Sequence, residues 1–104
     1  MYLMNGNKIV AKAYKSGGTF TKVKAEPCVS TFELPQALFR KGKTEVSFSA
    51  FVAWAKQRCF PPEREDATEL LKSLGLKEYD PWAIIQITEA RLPMTDEFWI
   101  DFKH

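Results

Sequence analysis

The chain has 104 residues, 45% hydrophobic and 27% charged, with a net charge of +2. This size and balance fit one globular domain over residues 1–104 and exclude a disordered or fibrous chain. No apolar run approaches the ~20 residues of a membrane-spanning helix and no charged-then-apolar leader opens the chain, so a soluble cytoplasmic protein without membrane partners is expected.

Residues 1–25 read as β-structure. Tyr2-Leu3-Met4 is a short strand. Asn5-Gly6 supplies a hairpin turn, because both residues tolerate positive φ. A longer strand runs from Lys8 to Tyr14. Ser16-Gly17-Gly18 marks a second turn, and Thr19 to Ala25 is a third strand rich in β-branched and aromatic residues. Alternation places Ile9, Ala11 and Ala13 on one face and Val10, Lys12 and Tyr14 on the other. Glu26-Pro27 ends this antiparallel meander. In 28–43, Pro35 can open one helical turn through Phe39, with Gly42 as its stop; a short extended piece is the other reading.

From Val46 the period becomes helical. Ser47 is the N-cap, with Val46 and Phe51 at the staple positions around it. Phe48, Phe51, Val52, Ala55 and Cys59 then share one face. Pro61-Pro62 closes this helix and opens the next, whose apolar stripe is Ala67, Leu70, Leu71 and Leu74. Gly75 and Leu76 form its Schellman ending. Asp80-Pro81 starts a third helix, expected to reach Leu92 before Pro93. Phe98, Ile100 and Phe102 alternate with Trp99 and Asp101, so the tail is a strand whose expected neighbour is the meander. The fold class is α+β: an N-terminal antiparallel meander, a three-helix unit and a returning C-terminal strand.

Charge is uneven. Residues 1–43 hold eight Lys/Arg and two Glu, whereas residues 44–104 hold seven Lys/Arg and eleven Asp/Glu. The basic part contains Lys8, Lys12, Lys15, Lys22, Lys24, Arg40, Lys41 and Lys43. These are candidate phosphate contacts, with Tyr14 and Phe20 as stacking groups. Ordinary protection of an exposed sheet face explains the same lysines.

Catalytic constellations are hard to assemble. The one histidine, His104, is terminal, which removes most Ser-His, Cys-His and histidine-metal arrangements. A histidine-free zinc site needs about four thiolates, and Cys28 and Cys59 are the two present. They are expected to be free thiols, at least one of them buried. No metal and no cofactor is therefore expected. Gly42-Lys43-Thr44 resembles the end of a phosphate loop, but Ala37 stands where the motif needs glycine. Glu65-Asp66-Glu69 is read as a solvated helix face.

The most specific local feature is Trp54-x3-Arg58-x2-Pro61-x2-Arg64, followed by Asp96-x2-Trp99. Asp96 and Glu97 are candidates for a bidentate clamp on an arginine. Such a clamp would tie the last strand to the helix junction or contact a ligand. Arg64 is expected in the first turn of the second helix, where the dipole disfavours a cation. Trp54 and Trp82 have apolar neighbours and read as core. Trp99 is out of phase with Phe98 and Ile100, which makes it a candidate exposed hot spot.

Leu34-Pro35, Trp54, Arg58-Cys59-Phe60-Pro61-Pro62-Glu63-Arg64, Leu70-Leu71 and Met94-Thr95-Asp96-Glu97-Phe98-Trp99-Ile100 together resemble a small module of Firmicutes genomes. That module stands beside HipA-like kinases, is fused to them, or occurs alone in mobile-element proteins. The resemblance covers about two-thirds of the chain and leaves out the basic meander. It implies a non-catalytic accessory or regulatory role in a toxin-related or mobile-element setting, phage included, and supplies no catalytic residue.

The function expected on these grounds is protein binding, as an inhibitor or accessory of a host, toxin or defence protein. Arg58, Arg64, Asp96 and Trp99 are its candidate partner contacts. The alternative is nucleic-acid binding through the eight basic residues named above. Glu63, Glu65, Asp66 and Glu69 argue against a DNA-recognition helix in the helical part.

Overall fold

The computed structural model describes residues 1–103; His104 lies outside the described residues. Five strands form one antiparallel sheet: β1 (Tyr2–Asn5), β2 (Lys8–Ser16), β3 (Thr19–Ala25), β4 (Glu45–Ser47) and β5 (Phe98–Asp101), in the order β4-β3-β2-β1-β5. Three helices follow β4: α1 (Phe48–Lys56), α2 (Ala67–Ser73) and α3 (Pro81–Thr88). This is the expected α+β arrangement, with the C-terminal strand returning beside β1. Leu3 lies opposite Ile100 in that pairing, and both are buried.

The first hairpin turns one residue later than the Asn5-Gly6 reading. Asn5 pairs with Lys8, so the loop is Gly6-Asn7. Gly6 alone of the two has positive φ, at 59°, the pattern of a type II′ turn. Gly17 and Gly18 both have positive φ, which suits the type I′ geometry of the second hairpin.

A β-bulge corrects the expected faces of β2. Leu3 faces Ala11 while Met4 faces Ile9, so Val10 is the extra residue. Val10 and Ala11 are therefore both fully buried, whereas Ile9 is 40% exposed. Val10 joins Ala11 and Ala13 on the core side, and Ile9 goes with Lys12 and Tyr14. A second shift, between Tyr14 and Lys15, leaves Lys15 opposite Phe20.

The 28–43 segment plugs the core with Leu34, Leu38 and Phe39. Pro35 does open one turn, its carbonyl accepting from Leu38 and Phe39. The flanking residues Thr31–Glu33 and Arg40–Gly42 are short 3-10 turns. Strand β4 carried too few residues to register as a strand in the sequence.

Ser47 caps α1, its hydroxyl accepting from the Ala50 amide at 3.1 Å. Helix α2 starts at Ala67, well after Pro61-Pro62; Pro62 disfavours helical geometry at Pro61, and successive turns bridge to Ala67. The Schellman ending forms as expected: Leu76 donates to Leu71 and Gly75 to Lys72. The leucine stripe of α2 is only half-buried, and Ala67 is that helix's one buried residue. Asp80 caps α3 through the Trp82 and Ala83 amides. That helix ends at Thr88, short of Leu92, because Glu89 and Ala90 both adopt positive φ, 60° and 57°.

Helix α1 packs on β3 and β4, and α3 packs on α1. Leu3, Ala11, Ala13, Val23 and Ile100 face this layer and share one apolar cluster with Phe51, Trp54 and Ile85. Trp54 is core, as expected; Trp82 is half-buried against it. No helix among the described residues is long and apolar enough to cross a membrane.

Candidate functional site

Arg58 stands just past the end of α1, where the Ala55 carbonyl holds its backbone amide. Its guanidinium meets Asp96 two-on-two, Nη1 to Oδ2 at 2.9 Å and Nη2 to Oδ1 at 2.6 Å. Nε donates to the Ala90 carbonyl at 2.6 Å and Nη2 also to that of Phe98 at 3.1 Å. Trp54 lies beneath it, with the guanidinium carbon 4.8 Å from the ring centroid. The Arg58 side chain is only 7% exposed. Its hydrogen bonds hold the Asp96 carboxyl below its ordinary range, against a smaller opposing effect of burial.

Arg64 does not join this clamp. It lies in the turns before α2 and pairs with Asp66 at 2.5 Å, both side chains exposed. The expected dipole conflict disappears, because Arg64 is outside the helix. Glu97 is exposed and approaches Gly6: a Cβ placed there would meet Glu97 Oε2 at 3.1 Å.

Trp99 faces away from the core, beside Met4. It is half-buried, however, and its indole donates to the Gly6 carbonyl at 2.8 Å. Arg91 covers one ring face, its guanidinium carbon 4.1 Å from the centroid. The group presented to solvent is therefore Arg91, with Trp99 as its platform. Arg91, Pro93, Asp96, Glu97, Trp99 and the Gly6-Asn7 turn border a hollow of about 500 Å³. Met94, in the loop on its rim, is 99% exposed.

On the other side of the same hairpin stands a second exposed group. Phe32 is 90% exposed yet sits on a tightly built turn. Ser30 and Glu33 form a capping box around it. Gln36 donates to the Thr31 and Leu34 carbonyls. Asn5 donates to the Glu33 carbonyl at 3.1 Å, and Lys8 pairs with the Glu33 carboxylate at 2.5 Å. The Lys8 contact, with the Ser30 amide second, pulls the Glu33 carboxyl below its usual value. The Asn5–Lys8 turn thus links the Phe32 turn to the Arg91–Trp99 hollow. The sequence does not single out Phe32, Arg91 or Met94 as contacts; Ser30-x2-Glu33 marks the turn that carries Phe32, not the exposure of its ring.

The basic residues divide. Lys12, Lys22 and Lys24 lie with Tyr2 and Tyr14 on the sheet face away from the helices. Lys8 is bound to Glu33, and Lys15 lies over the Phe20 ring at 4.8 Å. Phe20 stacks on Phe48 at 5.1 Å on the core side, so it is no partner for Tyr14 in stacking. Arg40, Lys41 and Lys43 line the exposed loop before β4.

Other candidates resolve simply. Gly42-Lys43-Thr44 leads into a strand, not a helix. Glu65 and Asp66 precede α2 and Glu69 lies within it. No group of three or more His, Cys, Asp or Glu among the described residues could hold a metal. Both cysteines are free, as expected; Cys28 is exposed and Cys59 is only half-buried against the core, so neither reaches the burial expected of at least one. Cys59 lies 3.7 Å from the Tyr79 hydroxyl, which donates to the Phe60 carbonyl. Burial, with the thiol's help, pushes that phenol up to about 12. In comparison with known proteins, no family model, no curated protein and no solved structure matches the chain.

Proposed function

We propose that this chain is a non-catalytic protein-interaction module that docks through the hairpin end of its sheet. The observation that carries the reading is Phe32, a large apolar side chain left in water on a turn fixed by a capping box and by two contacts from β1 and β2. Ordering a side chain on binding costs free energy, and a turn already ordered reduces that cost. Aromatic and arginine side chains are the usual anchors of protein interfaces. Arg91 on its Trp99 platform supplies the second kind. Arg58 and Asp96 act through their neighbours, holding the loop that carries Arg91 and Met94.

The partner is a cytoplasmic protein of a toxin, kinase or defence system, encoded with or near a mobile element. The resemblance to modules beside HipA-like kinases supports this choice. The test is co-elution of the purified chain with a HipA-like kinase from the same genome, followed by titration calorimetry. Binding that weakens at least tenfold in Phe32→Ala and in Arg91→Ala supports the reading. Affinity unchanged in both variants, or no complex with such a kinase, overturns it.

A further inference from the structure

We propose that the open face of the sheet binds single-stranded nucleic acid. This goes beyond protein docking and uses other residues. Strand pairing places Tyr2, Lys12 and Lys24 in one row across β1, β2 and β3, with Tyr14 opposite Lys22 in a neighbouring row. Two aromatic rings are thereby interleaved with three cations on hydrogen-bonded strands.

The cations are weakly engaged. Lys12 Nζ lies 5.6 Å from the Tyr14 centroid and 5.9 Å from that of Tyr2, and Lys24 Nζ lies 5.9 Å from Tyr14. Lys12 has no ion pair among the described residues. Glu45 reaches Lys22 and Lys24 at 3.9 and 3.8 Å, with all three side chains roughly half exposed. Such loose pairs in water contribute little and yield to a phosphate. When a phosphate draws the ammonium groups off the rings, the ring faces become free to stack on bases.

The arrangement selects among polyanions. Single strands use both backbone charge and stacking. An acidic peptide would use the lysines and leave the rings idle. A duplex major groove admits a helix or a two-stranded ribbon, whereas this face is the middle of a five-stranded sheet.

The test is fluorescence anisotropy of the full chain with labelled oligo-dT, oligo-rU, a DNA hairpin duplex and polyglutamate, over a salt series. The expected result is binding to one or both single strands at low salt, with a log–log salt slope of about −2 from three lysines. Tyr14→Ala weakens this at least about fivefold and leaves polyglutamate unaffected; Lys12→Gln flattens the slope. Tyr14 is 39% exposed, so its replacement spares the core, which circular dichroism checks. No binding to either strand at low salt, duplex or polyglutamate binding at least as tightly, or an unchanged affinity in Tyr14→Ala overturns the proposal. Phe32→Ala keeps full oligonucleotide binding, which separates this face from the docking surface.

Discussion

Arg58 reaches across 38 residues of sequence to close a two-pronged contact on Asp96. The same guanidinium holds the carbonyls of Ala90 and Phe98. One side chain thus joins the end of α1, the turn after α3 and the start of β5. The fork geometry is specific to arginine; lysine offers a point charge. Arg58→Lys is expected to lose about 2 kcal/mol, and Arg58→Ala about 3 kcal/mol or more, because each leaves a partly buried carboxylate and carbonyls unsatisfied. Urea unfolding measures both. A loss below about 0.5 kcal/mol in Arg58→Ala would mean that the clasp is not structural.

Asp96 carries the pH dependence of that clasp. Its folded carboxyl titrates below its ordinary value because Arg58 donates to the charged form. A lowered folded value means that the stabilisation is complete above the ordinary carboxylate range. It is lost as pH falls through the folded value. Asp96→Asn is expected to be less stable than wild type at neutral pH by about 1–3 kcal/mol, with the gap closing towards the acid end. Thermal melts from neutral to strongly acidic pH check this; a gap independent of pH would assign the effect to shape alone.

The fold was legible where local chemistry dominates. The Gly17-Gly18 turn, the Ser47 and Asp80 caps and the Gly75-Leu76 ending all follow from local chemistry: glycine reaches positive φ without a steric cost, and Ser or Asp offers a side-chain oxygen to the first helix amides. The Val10 bulge was not legible, since a one-residue offset between strands depends on what each face packs against. Nor was the early end of α3. Glu89 and Ala90 are good helix formers forced left-handed by distant groups: Ile100 donates to the Glu89 carbonyl at 2.8 Å, and Arg58 to that of Ala90. In the site, Arg58 with Asp96 could be suspected from charge and spacing. Phe32 and Arg91 could not, because exposure is set by the whole packing and an isolated aromatic in a sequence reads as core.

Phe32 gives a prediction that separates binding from folding. Its ring is almost wholly in water, and the backbone around it is held by Ser30, Glu33, Asn5 and Lys8. Phe32→Ala is therefore expected to change stability by less than about 0.5 kcal/mol, whatever it does to a partner. Ser30→Ala removes the hydroxyl that accepts from the Phe32 amide and is expected to cost about 1 kcal/mol. Denaturant midpoints of the two variants test the pair; a large loss in Phe32→Ala would show that the ring packs on something.

Glu89 offers a gain rather than a loss. It ends α3 in the left-handed region, where a side chain other than glycine costs about 1–2 kcal/mol. What holds it there is its backbone, through its amide to Ile85 and its carbonyl from Ile100. Its side chain contributes a single exposed pair with Arg91 at 3.0 Å, worth less than about 1 kcal/mol. Glycine keeps both backbone bonds and removes the strain, against some added freedom in the unfolded chain. Glu89→Gly is thus expected to raise stability by about 0.5–1 kcal/mol, seen as a higher melting temperature. The same replacement at Ala90 is expected to gain less, because Ala90 is fully buried and its methyl group leaves the core. Comparing the two melts decides whether backbone strain or packing governs this turn: equal gains would refute the packing contribution of Ala90, and a loss in Glu89→Gly would refute the strain.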